Sequence, residues 1–370
     1  MSYYLRIYGS HAAFGEAHMA TEKKRLRLAL LGFGNAGRAF GELLLEEHAR
    51  IEERFGVDVQ VAAIVTATRG SLVNPAGIDL REALDQLMTE NRFSPSLSGF
   101  CNAHSAEVVA SGEYDVAVEL TPLDVFTGRP ALDHVRTALV RGKDVITANK
   151  GPLAHGAREL IRLAKENRAC FLYETTVMDG TPVFNLVEET LPFCNVVGVE
   201  GILNTTTNFI LEEMTYGKTF DAAVEEGRTR GFVEADPSLD IDGWDASAKL
   251  TALMNVLMGS DIRPQDIERT GIGAIGAEDV RKARQDGKVI KLVCRGSFEG
   301  GTPKGVVRPE WLERDHPYAS VKGTSSIVTL HTDKMGSITV TEHDPEIEQT
   351  GYGIFSDLIR LIRKRSVSGK

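Results

Sequence analysis

The sequence predicts an α/β part built on a parallel sheet, followed by an α+β part with a mixed sheet. Three observations carry this. Short apolar runs alternate with helical segments from Arg25 to Glu174. A glycine-punctuated turn, Gly32-Phe33-Gly34-Asn35-Ala36-Gly37, joins the first apolar run to the first helix. From Val196 onward, strand-like runs gather after helices instead of alternating with them. A chain of 370 residues exceeds one small core. Its 42% apolar and 25% charged content is that of an ordinary soluble globular protein. The net charge of −10 offers no general attraction to nucleic acid or to an anionic membrane. No run of about 18 uninterrupted apolar residues argues for a membrane span. Cys101, Cys170, Cys194 and Cys294 lack CxxC spacing and read as buried free thiols of a cytoplasmic protein.

Residues 1–24 show no clean period and lack the apolar core of a secretory signal, so they are set aside as an extension. Met19, ahead of a charged run, is a second candidate start. From Arg25 the pattern sharpens. Leu26 to Leu31 reads as a buried strand, the glycine turn follows, and a helix is expected from Arg38 to about Arg54. A second strand runs from Val57 to Thr66. This is the first half of a Rossmann-type dinucleotide-binding unit. Gly32 permits the tight turn, Gly34 lets the backbone approach a pyrophosphate, and Gly37 lets the helix pack close to the sheet. The anion then rests on free N–H groups at the helix start, making residues 32–37 the candidate cofactor turn. An NAD-preferring site puts Asp or Glu at the end of the second strand. Here that strand ends Val65-Thr66-Ala67-Thr68-Arg69-Gly70-Ser71, with no acid and one arginine. Arg69, with Ser71 beside it, suits a 2′-phosphate, so NADP is favoured. The alternative is NAD, with Arg69 a solvated loop residue.

A helix is expected from Asp79 to about Asn91, and a buried strand from Asp115 to Leu120. Ligands in such folds lie beyond the carboxyl ends of the strands, which places Thr121 beside a nicotinamide. After a helix over Pro130 to Arg141, the strand Asp144 to Thr147 ends in Ala148-Asn149-Lys150-Gly151-Pro152. A charged side chain such as Lys150 at that end is more often functional than structural. The helix Leu153 to Asn167 and the strand Cys170 to Glu174 complete a nucleotide-binding part over 25–173. In the second part, 174–346, the strand Val196 to Leu203 runs into Asn204-Thr205-Thr206-Thr207-Asn208 and a helix from Phe209. That polar run either caps the helix or grips a carboxylate. Further strands are expected over Lys288 to Ser297, Ser326 to Leu330 and Gly336 to Thr341. The tail, 347–370, holds an amphipathic helix from Gly351 to Arg363, expected to return to the first part.

The chemistry concentrates in Gly231 to Lys249. Glu234, Asp236, Asp240, Asp242 and Asp245 precede a single lysine, Lys249. Asp245 and Lys249 stand at i and i+4 on one helix face. The pair reads either as an exposed helical ion pair worth about 0.3–0.5 kcal/mol, or as the deprotonating end of a site for a small cationic, hydroxylated substrate.

Taken together, the ordered motifs resemble homoserine dehydrogenase over nearly the whole chain from Arg25 to Leu361. They are GFGNAG at 32–37, TANKGPLA at 147–154, ETTVMDGTP at 174–182, GILNTTTNFIL at 201–211 and GFVEADPSLDIDGWDASAKL at 231–250. The resemblance implies reversible reduction of L-aspartate 4-semialdehyde to L-homoserine with NAD(P)H, in the route to threonine and methionine. It also implies a homodimer paired through the second part's sheet. By the same resemblance Lys249 is the catalytic lysine, Asp245 acts with it, and Lys150 lies between nicotinamide and substrate. Glu234 and Asp240 face the α-ammonium, Thr206 contacts substrate, and Gly351 belongs to a shortened glycine-rich turn near the nicotinamide. A sodium or other monovalent cation is implied at Glu174 and the carbonyls of Val177, Asp179 and Thr181, where Met178-Asp179-Gly180 replaces a more glycine-rich run.

Thr205 stands where the family usually has glycine, which leaves a rival reading: a paralogue acting on another small 2-amino hydroxy acid or aldehyde. A cofactor-binding sensor without catalysis is a third, opposed by Lys150, Asp245 and Lys249 together. A depressed lysine pKa is expected, since the lysine must exchange a proton with the substrate oxygen. The end of the chain near Lys370 implies neither a threonine-sensing domain nor a fused aspartate kinase.

Overall fold

The computed structural model describes residues 24–367; the reading of the N-terminal extension and of Met19 lies outside them. The first sheet is built from β1 (Lys24–Leu31), β2 (Val57–Val65), β3 (Ser71–Val73), β4 (Phe100–Cys101), β5 (Val116–Glu119), β6 (Asp144–Thr147) and β7 (Phe171–Leu172). Their order is β4-β3-β2-β1-β5-β6-β7. The run from β2 to β7 is parallel, and β3 and β4 add an antiparallel edge. Helices α1 (Asn35–Phe55), α2 (Leu80–Glu90), α3 (Ser105–Ser111), α4 (Ala131–Val140) and α5 (Gly151–Glu166) make the connections. Leu28, Leu30, Ala29 and Leu31 are all fully buried, so both faces of β1 are covered, as a central parallel strand requires.

The second part contributes α6 (Phe184–Thr190), β8 (Val196–Ile202), α7 (Thr205–Thr215), α8 (Phe220–Thr229), α9 (Ser238–Ile241) and α10 (Trp244–Leu257). It continues with β9 (Glu268–Arg269), α11 (Ala277–Gln285), β10 (Lys288–Glu299), β11 (Thr302–Glu313), β12 (Ser326–Thr332) and β13 (Gly336–Glu342). These strands form a six-stranded sheet in the order β13-β12-β8-β10-β11-β9, antiparallel except where β9 joins β11. The expected fold class, an α/β part with a mixed-sheet α+β part, is the one observed.

Several elements differ from expectation for local reasons. The first helix starts at Asn35, not Arg38, because Gly34 serves as its N-cap. Helix α7 starts at Thr205, not Phe209: the Asn204 side chain accepts from Thr207 N–H at 2.8 Å and caps it. The expected strand Cys170 to Glu174 shrinks to two residues, and Glu174 turns into a single 3-10 turn. Gly351-Tyr352-Gly353 is not a turn at all. It lies inside α12 (Ile347–Val367), which runs along α1 and buries Ile354, Leu358, Leu361 and Ile362 in one cluster with Leu28, Phe40 and Leu44. Each such side chain contributes roughly 1.5–3 kcal/mol. A Cβ on Gly351 would meet Ala39 Cβ at 2.8 Å and Phe40 N at 2.9 Å, so the glycine sets the helix–helix approach.

Candidate active site

The carboxyl ends of β1, β2, β5 and β6 bring Gly32, Thr66, Thr121 and Lys150 to one edge of the parallel sheet. Gly32 adopts φ +93°, and a Cβ there would sit 2.5 Å from the carbonyl oxygen of Leu120, so only glycine fits. A Cβ on Gly34, in contrast, would meet nothing within 4 Å. The turn therefore leaves open space directly before the N-terminus of α1, where no side chain caps the helix. Phe33 packs into the core, and Asn35 accepts from Arg38 Nη2 at 2.6 Å. An open concavity over uncapped helix N–H groups fits a pyrophosphate.

The loop after β2 is held by Thr66, whose Oγ1 donates to the Gly70 carbonyl at 2.7 Å and accepts from Arg69 N–H at 2.9 Å. Ser71 does not share the work assigned to it beside Arg69. It is buried in β3 and donates to the Ala103 carbonyl at 2.9 Å. The Thr121 hydroxyl donates to the Glu119 carboxylate, which also holds His134 Nδ1 at 2.8 Å. Asn149 ties this end together, donating to the carbonyls of Thr121 and Pro122 and accepting from Gly151 N–H.

Across from this edge stands the start of α10. Asp245 bridges two lysines: Lys150 Nζ lies 3.1 Å from Oδ1 and Lys249 Nζ 3.5 Å from Oδ2. Asn204 Nδ2 donates to Asp245 Oδ2 at 3.0 Å and to Asp240 Oδ1 at 2.6 Å. Lys249 Nζ also donates to the Leu203 carbonyl at 2.8 Å. The side chains of Lys150, Asp245 and Lys249 are 16–18% exposed, enough to meet a small solute but not to be bathed in water.

This arrangement decides the protonation states. Burial alone would raise the Asp245 pKa, but Lys150 and Lys249 outweigh it and hold the carboxyl below its usual range. Asp240 is pushed the other way, by burial and by Asp245, against hydrogen bonds from Asn204 and Thr206. For Lys249, burial acts downward, yet Asp245, Asp179, Asp240 and Glu342 together raise its pKa. The expectation of a depressed lysine is therefore corrected: Lys249 is held as an ammonium.

The structure thus gathers Lys150, Asp245, Lys249, Asp240 and Thr206. Glu234 is exposed on the loop after α8, where its carbonyl accepts from Arg228. Glu174 is buried: its carboxylate accepts from the N–H groups of Val183, Phe184 and Asn185 at 2.6, 2.9 and 2.6 Å, anchoring the start of α6. Burial raises its pKa in spite of these three donors. Val177 is buried nearby, and Thr181 and Asp179 flank Gly180. The Asp179 carboxylate accepts from Thr350 Oγ1 at 2.6 Å.

Two residues escaped the sequence reading. Asn204 was legible as a cap but not as the clamp on two carboxylates. The sequence reading ends that strand at Thr341 and so omits Glu342. It closes β13 as an inward-facing residue, donated to by Thr181 Oγ1 at 2.9 Å. Burial and the neighbouring Asp179 push its pKa up to about 7, against Thr181 and Lys249. The signal was present: Ile338 and Val340 alternate inward, and the next position of that period is 342.

A Rossmann-type sheet whose strand ends face a lysine–aspartate–lysine cluster defines the class as NAD(P)-dependent oxidoreductases. The family model for homoserine dehydrogenase matches residues 182–359. An NAD(+)-dependent homoserine dehydrogenase from Pseudomonas canavaninivorans is 33% identical, over 90% of this chain and 96% of that one. A homoserine dehydrogenase from Methanocaldococcus jannaschii is 32% identical over 90% and 98%. Among solved structures, a hyperthermophilic archaeal homoserine dehydrogenase in complex with NADPH superposes with a TM-score of 0.78 at 31% identity, covering 92% and 98%. One from Thiobacillus denitrificans gives 0.77 at 28% identity, covering 93% and 74%. The chain belongs to the homoserine dehydrogenase family.

Proposed function

We propose that the protein catalyses the reversible reduction of L-aspartate 4-semialdehyde to L-homoserine, a step toward threonine and methionine. The observation that carries this is Asp245 held between Lys150 and Lys249 at the carboxyl edge of the parallel sheet. When bound, the nicotinamide supplies or accepts the hydride. The chain's own groups handle the proton and the charge. Lys249 directs two of its donors at Asp245 and the Leu203 carbonyl, which leaves the third for the substrate oxygen. In reduction its ammonium gives up a proton as that oxygen gains charge. Lys150 stands on the other side of Asp245 and stabilises the same developing charge. Asp245 fixes both lysines. Asp240, with Glu234 from the exposed loop, receives the α-ammonium, and Thr206 orients the substrate from the start of α7.

Residues 32–37, Thr121 and Lys150 line the cofactor in this reading, with Gly351 behind α1 as a packing support. Arg69 favours NADP, since a guanidinium at the end of β2 matches a 2′-phosphate. The loop 174–181 offers the carbonyls of Val177, Asp179 and Thr181, together with Glu174, to sodium or another monovalent cation. The assembly proposed is a homodimer paired through the second sheet. Among the described residues no helix is long and apolar enough to cross a membrane. The four cysteines are free, but only Cys294 is buried as expected, Cys101, Cys170 and Cys194 being half-buried; free thiols suit the reducing cytoplasm, the location proposed.

The deciding experiment is homoserine-dependent reduction of NADP and of NAD by the purified protein, beside Lys249→Ala. Activity in the parent that drops by about 10²–10⁴ in the variant is expected. A variant retaining full turnover would remove the lysine from the mechanism. An inactive parent that still binds cofactor would turn attention to other 2-amino hydroxy acids.

A further inference from the structure

The carboxyl end of β5 is built around a buried acid. Glu119 is fully buried, although Val116, Ala117 and Val118 before it are apolar, as a central strand requires. A carboxylate in such a place persists only where donors surround it. Its Oε1 receives both donors of Thr121, the backbone N–H at 2.8 Å and the hydroxyl. Its Oε2 meets Nδ1 of His134 at 2.8 Å, and His134 is itself buried on α4. For packing alone, an apolar residue would fill the same volume without desolvating a charge.

These bonds leave the strand end one-sided. Leu120 N–H donates to the Leu31 carbonyl, both Thr121 donors go to Glu119, and Pro122 has no N–H. The carbonyls of Thr121 and Pro122 accept from Asn149, and each keeps a further lone pair. The Thr121 hydroxyl, its hydrogen committed to Glu119, likewise retains only lone pairs. Thr121 is half-buried, so what it offers outward is acceptors.

We propose that Glu119, held by His134, is a positioning residue that fixes the Thr121 hydroxyl as an acceptor, so that the site selects the carboxamide NH2 of the nicotinamide over groups that can only accept. This rests on the placement of Thr121 beside the nicotinamide under the proposed function. It adds the hydrogen-bond polarity of that contact and the two residues that set it. A carboxamide has a donor end and an acceptor end, and an acceptor-only edge takes it one way round.

The test is calorimetric binding, without homoserine, of NADP and NAD and of their 3-acetylpyridine analogues, in which a methyl replaces the amide NH2. The full-length parent is expected to bind the better natural dinucleotide about tenfold more tightly than its analogue, since the analogue leaves the acceptors without a donor. Thr121→Val keeps the shape, removes the hydroxyl and brings the ratio toward unity, whereas Thr121→Ser preserves it. Glu119→Ala frees the hydroxyl to donate to the acetyl oxygen. The ratio falls there through tighter binding of the analogue, and Glu119→Gln, which returns an oxygen to Thr121, restores it. A merely structural Glu119 would weaken amide and acetyl forms alike, and an unchanged ratio in Glu119→Ala overturns the proposal. An unchanged ratio in Thr121→Val does the same. Should Glu119→Ala not fold, the parent decides: a hydroxyl free to donate would accommodate the acetyl carbonyl, so equal binding of the two forms removes the assignment. A preference present in the parent and lost in Thr121→Val upholds it. No readout here needs turnover, so an absence of homoserine oxidation would strike the substrate reading alone. A parent that binds neither natural dinucleotide would strike the cofactor placement and this proposal with it.

Discussion

Asp245 receives Lys150, Lys249 and Asn204 at once, and its charge is what keeps Lys249 protonated in a place where burial would discharge it. Asp245→Asn removes the carboxylate that does most to raise the pKa of that lysine. The Lys249 pKa then moves down toward the value burial prefers, and the limb of the kcat/KM–pH profile that reports it shifts to lower pH. Turnover falls by about 10²-fold or more with it. An unmoved limb with reduced turnover would mean that Asp245 acts only by position. Arg69 supports a second residue-scale prediction. If its guanidinium meets a 2′-phosphate, Arg69→Ala lowers kcat/KM for NADP by roughly tenfold, the worth of one charge-assisted contact of about 1.5 kcal/mol, and leaves NAD nearly unchanged. Equal losses for both cofactors would return Arg69 to the solvated loop.

Among the elements, α12 depends on a glycine that the sequence presented as part of a turn. Gly351→Val drives a branched side chain into Ala39 and the backbone of Phe40. Overpacking of this kind costs about 1–3 kcal/mol, read as a fall in denaturation midpoint with the slope unchanged. Legibility in the sequence followed the same physics. Strand β1 and helix α10 were readable because one periodic apolar pattern, undisturbed by breakers, covers each of them. Strand β11 was not, since Pro303, Gly305 and Pro309 interrupt it and its partner β10 supplies the pairing that overrides them. The apolar pattern of helix α12 is legible only from Gly351, because nothing local announces that its first turn begins at Ile347. The site divides in the same way. Asp245 and Lys249 are four residues apart and could be paired on paper. Asn204 and Glu342 reach the cluster only through tertiary contacts, across separations no spacing rule spans.

On the scale of the whole molecule, Lys291 is a buried cation outside the site. Lys291 on β10 donates to Asn208 Oδ1 at 2.7 Å and to the Val321 carbonyl at 2.6 Å, so Asn208 serves the interior and not the substrate. Burial lowers the Lys291 pKa to about 8. Between that value and the ordinary lysine value near 10.5, the unfolded chain binds a proton that the folded one has released. Stability from this group therefore rises as pH increases through that window, and its penalty is fully present below it. The difference in unfolding free energy between the parent and Lys291→Met, measured from pH 7 to 10, is expected to move in the parent's favour. A flat difference would place the lysine in better-solvated surroundings. Sedimentation of the intact protein tests the proposed pairing: a species of twice the chain mass is expected, and a monomer at micromolar concentration would remove the second sheet from that role.

Asn204 lies two residues beyond β8, caps α7 and clamps two carboxylates with a single amide. Heritable change at this position is consequently pleiotropic. A variant cannot retune the acidity of the Asp240–Asp245 cluster without also loosening the first turn of α7. Drift that tolerates the loss of one function meets selection through the other. Neutral exploration of new substrates has to begin elsewhere, at positions that do not hold both the helix start and the carboxylates.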